Sequence, residues 1–313
     1  MNLRPAMWLV LAASMTACFE NSVPGPAQSA ESACADAGAA VPPECLKPPE
    51  CSACPDPPAC PQADAGEGCP PPCECPVCPA PERTLRVMTF NIRHAAEASL
   101  GAIANVIKAE APDIVGLQEV DYYLERSGNV YQSYRLGQLV GRASLFRASI
   151  IYPDSGGQYG LAVLSRFPIV SSDKLVLTSG AQPRILLIVD IELEPGRMAT
   201  VAVTHLGLTA EERRAQAAEI VEALRGRPRV LLMGDFNEGP TGSSVRTLTA
   251  EFADVWDEAG QGAGFTFPAD APTMRIDFIL RDRALPVPIE AHVPERIASD
   301  HRPVVVTMPW PAQ

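Results

Sequence analysis

Val230-Leu231-Leu232-Met233-Gly234-Asp235-Phe236-Asn237 is a short apolar run that turns polar at its end. A run of this length, without helical periodicity and closed by a glycine, reads as a strand buried on both faces. A sheet would then carry Asp235 and Asn237 to its rim. Similar clusters end other strand-like runs: Thr89-Phe90-Asn91, Gln118-Glu119-Val120, Thr204-His205-Leu206 and, beside a final strand, Ser299-Asp300-His301. Arg275-Ile276-Asp277 makes a sixth. Singly, each has an ordinary explanation, because Asn and Glu at strand ends are common turn formers and a lone His is usually structural.

Working outward, short apolar and β-branched runs predict strands at Leu85–Asn91, Ile114–Val120, Gly160–Ser165, Ile185–Ile191, Ala199–Thr204, Val230–Gly234, Ile276–Leu280 and Val304–Met308. Two helices are signalled. Leu100, Ile103, Val106 and Ile107 form an apolar stripe that stops before Pro112, and Thr209-x-x-Glu212 is a capping box that opens a helix through about Leu224. So many strands with so few helices do not fit a regular βαβ repeat. They predict, over 84–313, two sheets packed face to face with helices outside.

The first quarter of the chain differs in kind. All 10 Cys lie at or before Cys78, and 16 of the 32 Pro lie between Pro24 and Pro81. Residues 1–18 have the layout of a secretory signal, with Arg4 before the apolar run Met7–Ala13. The run is too short to span a bilayer stably. Met15-Thr16-Ala17-Cys18 resembles a bacterial lipobox, which implies lipidation of Cys18, a membrane anchor and a place in the cell envelope, at the outer membrane or in the periplasm. Met15 departs from the usual Leu. Residues 19–83 lack apolar periodicity, so they predict a disordered Pro/Cys-rich tether. Cys51-x2-Cys54 and Cys75-x2-Cys78 have near-ribbon zinc spacing, but an exported segment meets an oxidising compartment in which thiols pair.

Taken together, in this order and spacing, the rim clusters of 84–313 closely resemble the endonuclease/exonuclease/phosphatase superfamily, the DNase-I-like fold. The resemblance implies an α/β (α+β) fold, a four-layer sandwich of two mostly antiparallel sheets flanked by helices, and hydrolysis of phosphate esters at a divalent ion, Mg²⁺ with Mn²⁺ as the alternative. By this resemblance the metal residues are Asn91, Glu119, Asp300 and Asp235. His301 matches the general base and Asp277 the carboxylate that fixes its tautomer. His205 matches the histidine that donates to the scissile phosphate or the leaving oxygen, and Asp235 and Asn237 match groups that contact phosphate, Asp235 with a second metal or the polarising of water as its alternative roles. The chemistry of phosphoryl transfer asks for the same parts: oxygen ligands for a hard cation, a base for water, and donors to the non-bridging oxygens.

Arg184, which follows Gln182-Pro183, matches a position where some relatives carry a substrate-facing base, although a surface ion pair is the plain alternative. His94 and Arg126 lie within reach of the expected rim, and Phe267 reads as packing rather than as a base-stacking ring. The domain has no Cys and no Gly-x-Ser-x-Gly, which removes the common thiol and serine nucleophiles. The formal charge of −12 divides into 3 basic minus 10 acidic groups (−7) over 1–83 and 22 minus 27 (−5) over 84–313. That balance argues against tight, nonspecific nucleic-acid binding. The substrate class stays open among nucleic acid, phospholipid and sugar phosphate, and no protein partner is implied. The other class of function is a noncatalytic binding module of the same fold. Decay of that kind should have cost at least one of Glu119, His205, Asp235, Asn237, Asp300 and His301, and all are present.

Overall fold

Apolar residues at alternate positions of the strands build two sheets whose inner faces meet, and each outer face is covered by helices. The computed structural model describes Arg83 to Trp310. The elements are β1 (Thr84–Asn91), α1 (Leu100–Glu110), β2 (Ile114–Tyr122), α2 (Gln132–Val140), β3 (Ala143–Ile151), β4 (Gln158–Ser165), β5 (Ile169–Leu177), β6 (Arg184–Glu194), β7 (Arg197–His205), α3 (Ala210–Leu224), β8 (Val230–Asp235), α4 (Ser243–Glu251), β9 (Phe252–Asp254), α5 (Val255–Ala259), β10 (Asp277–Asp282), β11 (Glu290–His292) and β12 (Val304–Pro309). One sheet has the order β11-β12-β1-β2-β4-β3 and the other β5-β6-β7-β8-β10-β9. Among the described strands only the β1/β2 and β7/β8 pairs are parallel.

The period of two sorts each strand's residues between layers. In β1, Leu85 and Val87 join the core between the sheets, while Met88 and Phe90 join the core under α1 and α2. In β8, Leu231 and Met233 face the opposite sheet, while Val230 and Leu232 pack with Ala217, Ile220 and Leu248 of α3 and α4. The result is the four-layer sandwich expected from the sequence, with both of its helices in place. Thr209 and Glu212 form the reciprocal capping box at the start of α3.

All eight expected strands are present, and four more accompany them. β3 and β5 are edge strands, and the exposed sequence Val170-Ser171 and Asp173–Val176 of β5 carries too few buried positions to signal a strand. β9 and β11 have three residues each, too few for a period. The leader, Cys18, the tether and its cysteine pairs lie outside the described residues. Among the described residues no helix is long and apolar enough to cross a membrane.

Candidate active site

The strand that opened the reading ends in the site. Continuing the alternation of Leu231 and Met233, Asp235 falls on the inner face at the rim of its sheet. Its neighbours are in register with it: His205 of β7 pairs with Asp235 in the parallel ladder, and Asp277 of β10 pairs with it in the antiparallel one. One row across three strands therefore holds His205, Asp235 and Asp277. Asn91 ends β1 on the inner face of the other sheet, and its amide spans the gap. Asn91 Nδ2 donates to Asp235 Oδ2 at 3.0 Å and to Glu119 Oε1 at 3.2 Å, while Oδ1 accepts from the Arg93 backbone N–H at 3.0 Å.

Glu119 reaches this place through a β-bulge. The ladder between β2 and β4 shifts register between Leu117 and Val120, so both of those side chains lie in the core on the outer face and Glu119 between them turns to the inner rim. Its backbone is left-handed, with φ +57°. Arg93, with φ +42°, and Asn237, with φ +50°, adopt the same conformation where the chain leaves β1 and β8. Only the asparagine tolerates it readily.

His301 arrives from the loop before β12. Its Nδ1 lies 2.8 Å from Asp277 Oδ2, and its Nε2 is 3.7 Å from Asp235 Oδ2. The Phe267 ring packs on the imidazole at 4.8 Å between centroids. His205 Nε2 is 3.4 Å from Asp235 Oδ2, and its Nδ1 is buried without a partner. Asn237 donates its backbone N–H to Asp235 Oδ1 at 2.9 Å and its Nδ2 to the Leu206 carbonyl at 2.9 Å.

Burial and crowding set the charges. Burial, then the nearby Asp277, pushes the Asp235 carboxyl up to about 7, against His301 and the donors of Asn237 and Asn91. Burial opposes a charge on His301, yet Asp277, with Asp235 and Asp300 behind it, raises that imidazole to about 10. His205 goes the other way, since burial and then the positive charges of Arg184 and His301 hold it well below the ordinary imidazole range. The two site imidazoles are thus pushed in opposite directions, His301 toward its charged form and His205 toward its neutral one.

The donor set suits a hard divalent cation. Carboxylates converge without enough cations to match them, and Asp277 Oδ1 is buried with no partner. Asp235, Asp277 and His301 each place a ligand atom within 4.8 Å of the others. Of the four residues expected at the metal, Asn91, Glu119 and Asp235 are joined directly. Asp300 is paired with Arg93, whose Nη1 lies 3.2 Å from Asp300 Oδ2. The Asn91 amide presents its nitrogen, not its oxygen, to the two carboxylates.

The remaining candidates separate. Arg126 makes a two-pronged ion pair with Asp121, at 2.9 and 2.7 Å, so its charge is committed there. His94 uses its carbonyl to hold Gln132 at 2.7 Å, and its Nδ1 has no partner. Arg184 is buried beside Tyr159, with its Nε lacking a partner and no ion pair among the described residues, so the surface ion pair entertained for it is not found. Two residues at the rim were given no site role from the sequence. Arg93 carries no motif that would announce it, whereas Tyr159 could have been found by its parity with Leu161 and Val163, which places its ring on the inner face of β4.

Among solved structures, the endonuclease/exonuclease/phosphatase of Beutenbergia cavernae is similar, with 28% identity over 72% of this chain and 72% of that one, at a TM-score of 0.58. A mannosyl-6-phosphatase of Bacteroides thetaiotaomicron matches at 20% identity over 71% of this chain and 98% of its own, with a TM-score of 0.60. Truncated TDP2 of Caenorhabditis elegans matches at 21% identity over 72% and 98%, with a TM-score of 0.57. No curated protein matches the chain in sequence. The model of the Endonuclease/Exonuclease/phosphatase family matches residues 88–301, from within β1 to the site histidine. That span contains every rim cluster of both sheets, and the chain belongs to this family.

Proposed function

We propose that the protein is a divalent-metal-dependent phosphoric ester hydrolase in which water attacks phosphorus directly. The Asp277–His301 pair carries the reading, because a 2.8 Å bond to a buried carboxylate fixes an imidazole with one nitrogen left for a proton in transit. Glu119 and Asp300, half-buried at the rim, would hold Mg²⁺ or Mn²⁺, with Asp235 beside them. A cation there supplies Lewis-acid polarisation of a phosphate oxygen and the positive charge that the carboxylates lack.

The residues divide the remaining work. Without added positive charge His301 keeps its proton to about 10, so its service as a base at neutral pH requires the carboxylates around it to be offset. Asp277 holds the imidazole's orientation and stabilises the imidazolium formed when it takes a proton from water. Asn91 ties Glu119 to Asp235 and fixes the distance between the two sheets' contributions. His205, which burial holds toward its neutral form, and the Asn237 amide would contact phosphate.

The phosphatase and TDP2 neighbours support phosphate esters as the substrate class, sugar phosphate or nucleic acid, with phospholipid the remaining member of the class. The N-terminal signal and Cys18 support export to the bacterial envelope and a lipid anchor. The test is hydrolysis of p-nitrophenyl phosphate and bis(p-nitrophenyl) phosphate by the whole chain, with Mg²⁺, with Mn²⁺ and with chelator. Turnover should require metal and fall about 10²- to 10⁴-fold in His301→Ala. Equal turnover in chelator would refute the metal role, and turnover by no metal form would favour the binding module.

A further inference from the structure

Two of the four residues expected at the metal are held by one cationic residue of the chain itself. The Arg93 backbone N–H donates to Asn91 Oδ1 at 3.0 Å, and Arg93 Nη1 lies 3.2 Å from Asp300 Oδ2. The other Asp300 oxygen accepts from Ser299 Oγ at 3.2 Å. Neither Asn91 nor Asp300 can serve a cation without giving something up. The Asn91 amide turns its nitrogen to Glu119 and Asp235, whereas a hard cation takes oxygen. To offer its oxygen beside those carboxylates the amide must reverse, and reversal takes Oδ1 from the Arg93 N–H. At Asp300 the conflict is one of charge, since a guanidinium and a divalent ion against the same carboxylate repel each other.

Arg93 also has somewhere to go. Glu97, four residues on, accepts from the same Nη1 at 2.5 Å. The side chains of Arg93 and Glu97 are 45% and 46% exposed and that of Asp300 is 24% exposed, so water reaches every group that would change partner. Exchange between partners that are half in water costs little. The guanidinium therefore stands between one carboxylate of the rim and one outside it.

We propose that Arg93 is a built-in competitor of the metal: it holds Asn91 and Asp300 until a divalent cation displaces it, and Glu97 then keeps the guanidinium. The inference rests on the divalent-metal reading of the same rim. A ligand shifts an equilibrium only by its differential affinity for the two states, so the Arg93 contacts oppose loading of the site and Glu97 favours it. The two residues are thus opposed in sign, although they touch each other. Removing the guanidinium tightens metal binding, and removing Glu97 leaves Asp300 as the guanidinium's carboxylate and weakens it. A residue that merely shaped the loop after β1 would weaken binding in either case.

The decisive experiment titrates the chelator-treated whole chain with Mg²⁺ by calorimetry and measures its melting temperature with and without the ion. Mg²⁺ is the probe because the thiols of the ten Cys do not compete for so hard an ion. The variants are Arg93→Gln, Glu97→Gln, the two combined, and Glu119→Gln, which assigns the heat to the rim. Arg93→Gln is expected to bind Mg²⁺ about 5- to 10-fold more tightly, the low end of coupling between bound groups because the pair is partly exposed. Its rise in melting temperature on adding Mg²⁺ should be correspondingly larger. Glu97→Gln should bind about 2- to 5-fold more weakly, and that loss should vanish when residue 93 is already Gln. Unchanged or weaker binding in Arg93→Gln, or an equal loss from Glu97→Gln with and without Arg93, overturns the competitor and leaves the metal reading standing. No saturable Mg²⁺ heat in any form, or the wild-type heat in Glu119→Gln, sinks the metal reading and the proposal together. Tighter binding in Arg93→Gln, in a protein that hydrolyses neither p-nitrophenyl ester, would uphold the competitor and sink the hydrolase reading.

Discussion

Replacing Asp277 by Asn keeps the shape of the side chain and removes the charge that faces His301 at 2.8 Å. In the metal-free protein the imidazole is raised from 6.5 to about 10, although burial alone would lower it. That displacement favours the charged imidazole by on the order of 5 kcal/mol. It stabilises the fold fully below about pH 6.5 and is lost as pH rises through about 10, because the folded state holds the proton more tightly than the unfolded chain. With Asn at 277 only Asp235 and Asp300 oppose burial, so the ring should give up its proton before pH reaches about 8. The assay is the pH dependence of the imidazole nitrogen shifts in ¹⁵N-histidine-labelled, chelator-treated protein, with the four His signals assigned by a His301→Gln sample. The same variant should lose about 10²- to 10⁴-fold in kcat with Mg²⁺ present, as an amide can hold the ring in the wrong tautomer. A wild-type His301 that titrates near 6.5, or a variant with an unchanged titration curve, would refute the electrostatic account of the pair.

Three further outcomes concern stability. Arg275 is 5% exposed, bonded to Asp254 at 2.8 Å and to Asp257 at 3.3 Å, and lies 4.7 Å from the Phe278 ring centroid. Arg275→Met should cost about 3–5 kcal/mol in urea denaturation by stranding Asp254, and pairing it with Asp254→Asn should recover much of that loss; a cost under about 1 kcal/mol would contradict the ion-pair reading. Gly234 has φ +153°, and a Cβ there would stand 1.9 Å from the Thr204 carbonyl oxygen, so Gly234→Ala should destabilise by at least about 3 kcal/mol and depress activity through Asp235, whereas a neutral effect would mean that β7 and β8 separate readily. Thr209→Ala removes one half of the α3 capping box and should lower the unfolding free energy by about 1 kcal/mol with turnover unchanged; a loss of turnover would show that the cap positions the site.

Much of the architecture was legible because the central strands carry their own signal. Val230–Gly234 and Ile185–Val189 are buried on both faces and read as unbroken apolar runs. Edge strands have no such obligation, and Val170-Ser171 and Asp173–Val176, largely solvent-facing, look like a loop in sequence. The rim residues were legible as a set, since each ends, opens or flanks a strand and the set matches a family's order. Their connections were not legible. That Asn91 spans both sheets depends on the packing of one sheet on the other, and the turn of Glu119 to the inner face depends on a bulge that alternation alone places wrongly, since Glu119 has the parity of the outward Leu117. The burial of Arg184 is a property of three dimensions, because only the folded chain shows which groups surround it.

The left-handed backbones at Arg93 and Glu119 carry a consequence for the protein's history under selection. A residue other than glycine or asparagine pays about 1–3 kcal/mol to sit there, and glycine at either position would relieve that strain. A population selected for heat resistance alone would therefore be drawn to glycine at 93 and 119, each step raising the melting point while removing a guanidinium or a carboxylate from the rim. Continued occupancy of such places by long charged side chains requires a selective demand other than folding, and a library sorted first for melting temperature and then for turnover would show these two codons moving in opposite directions.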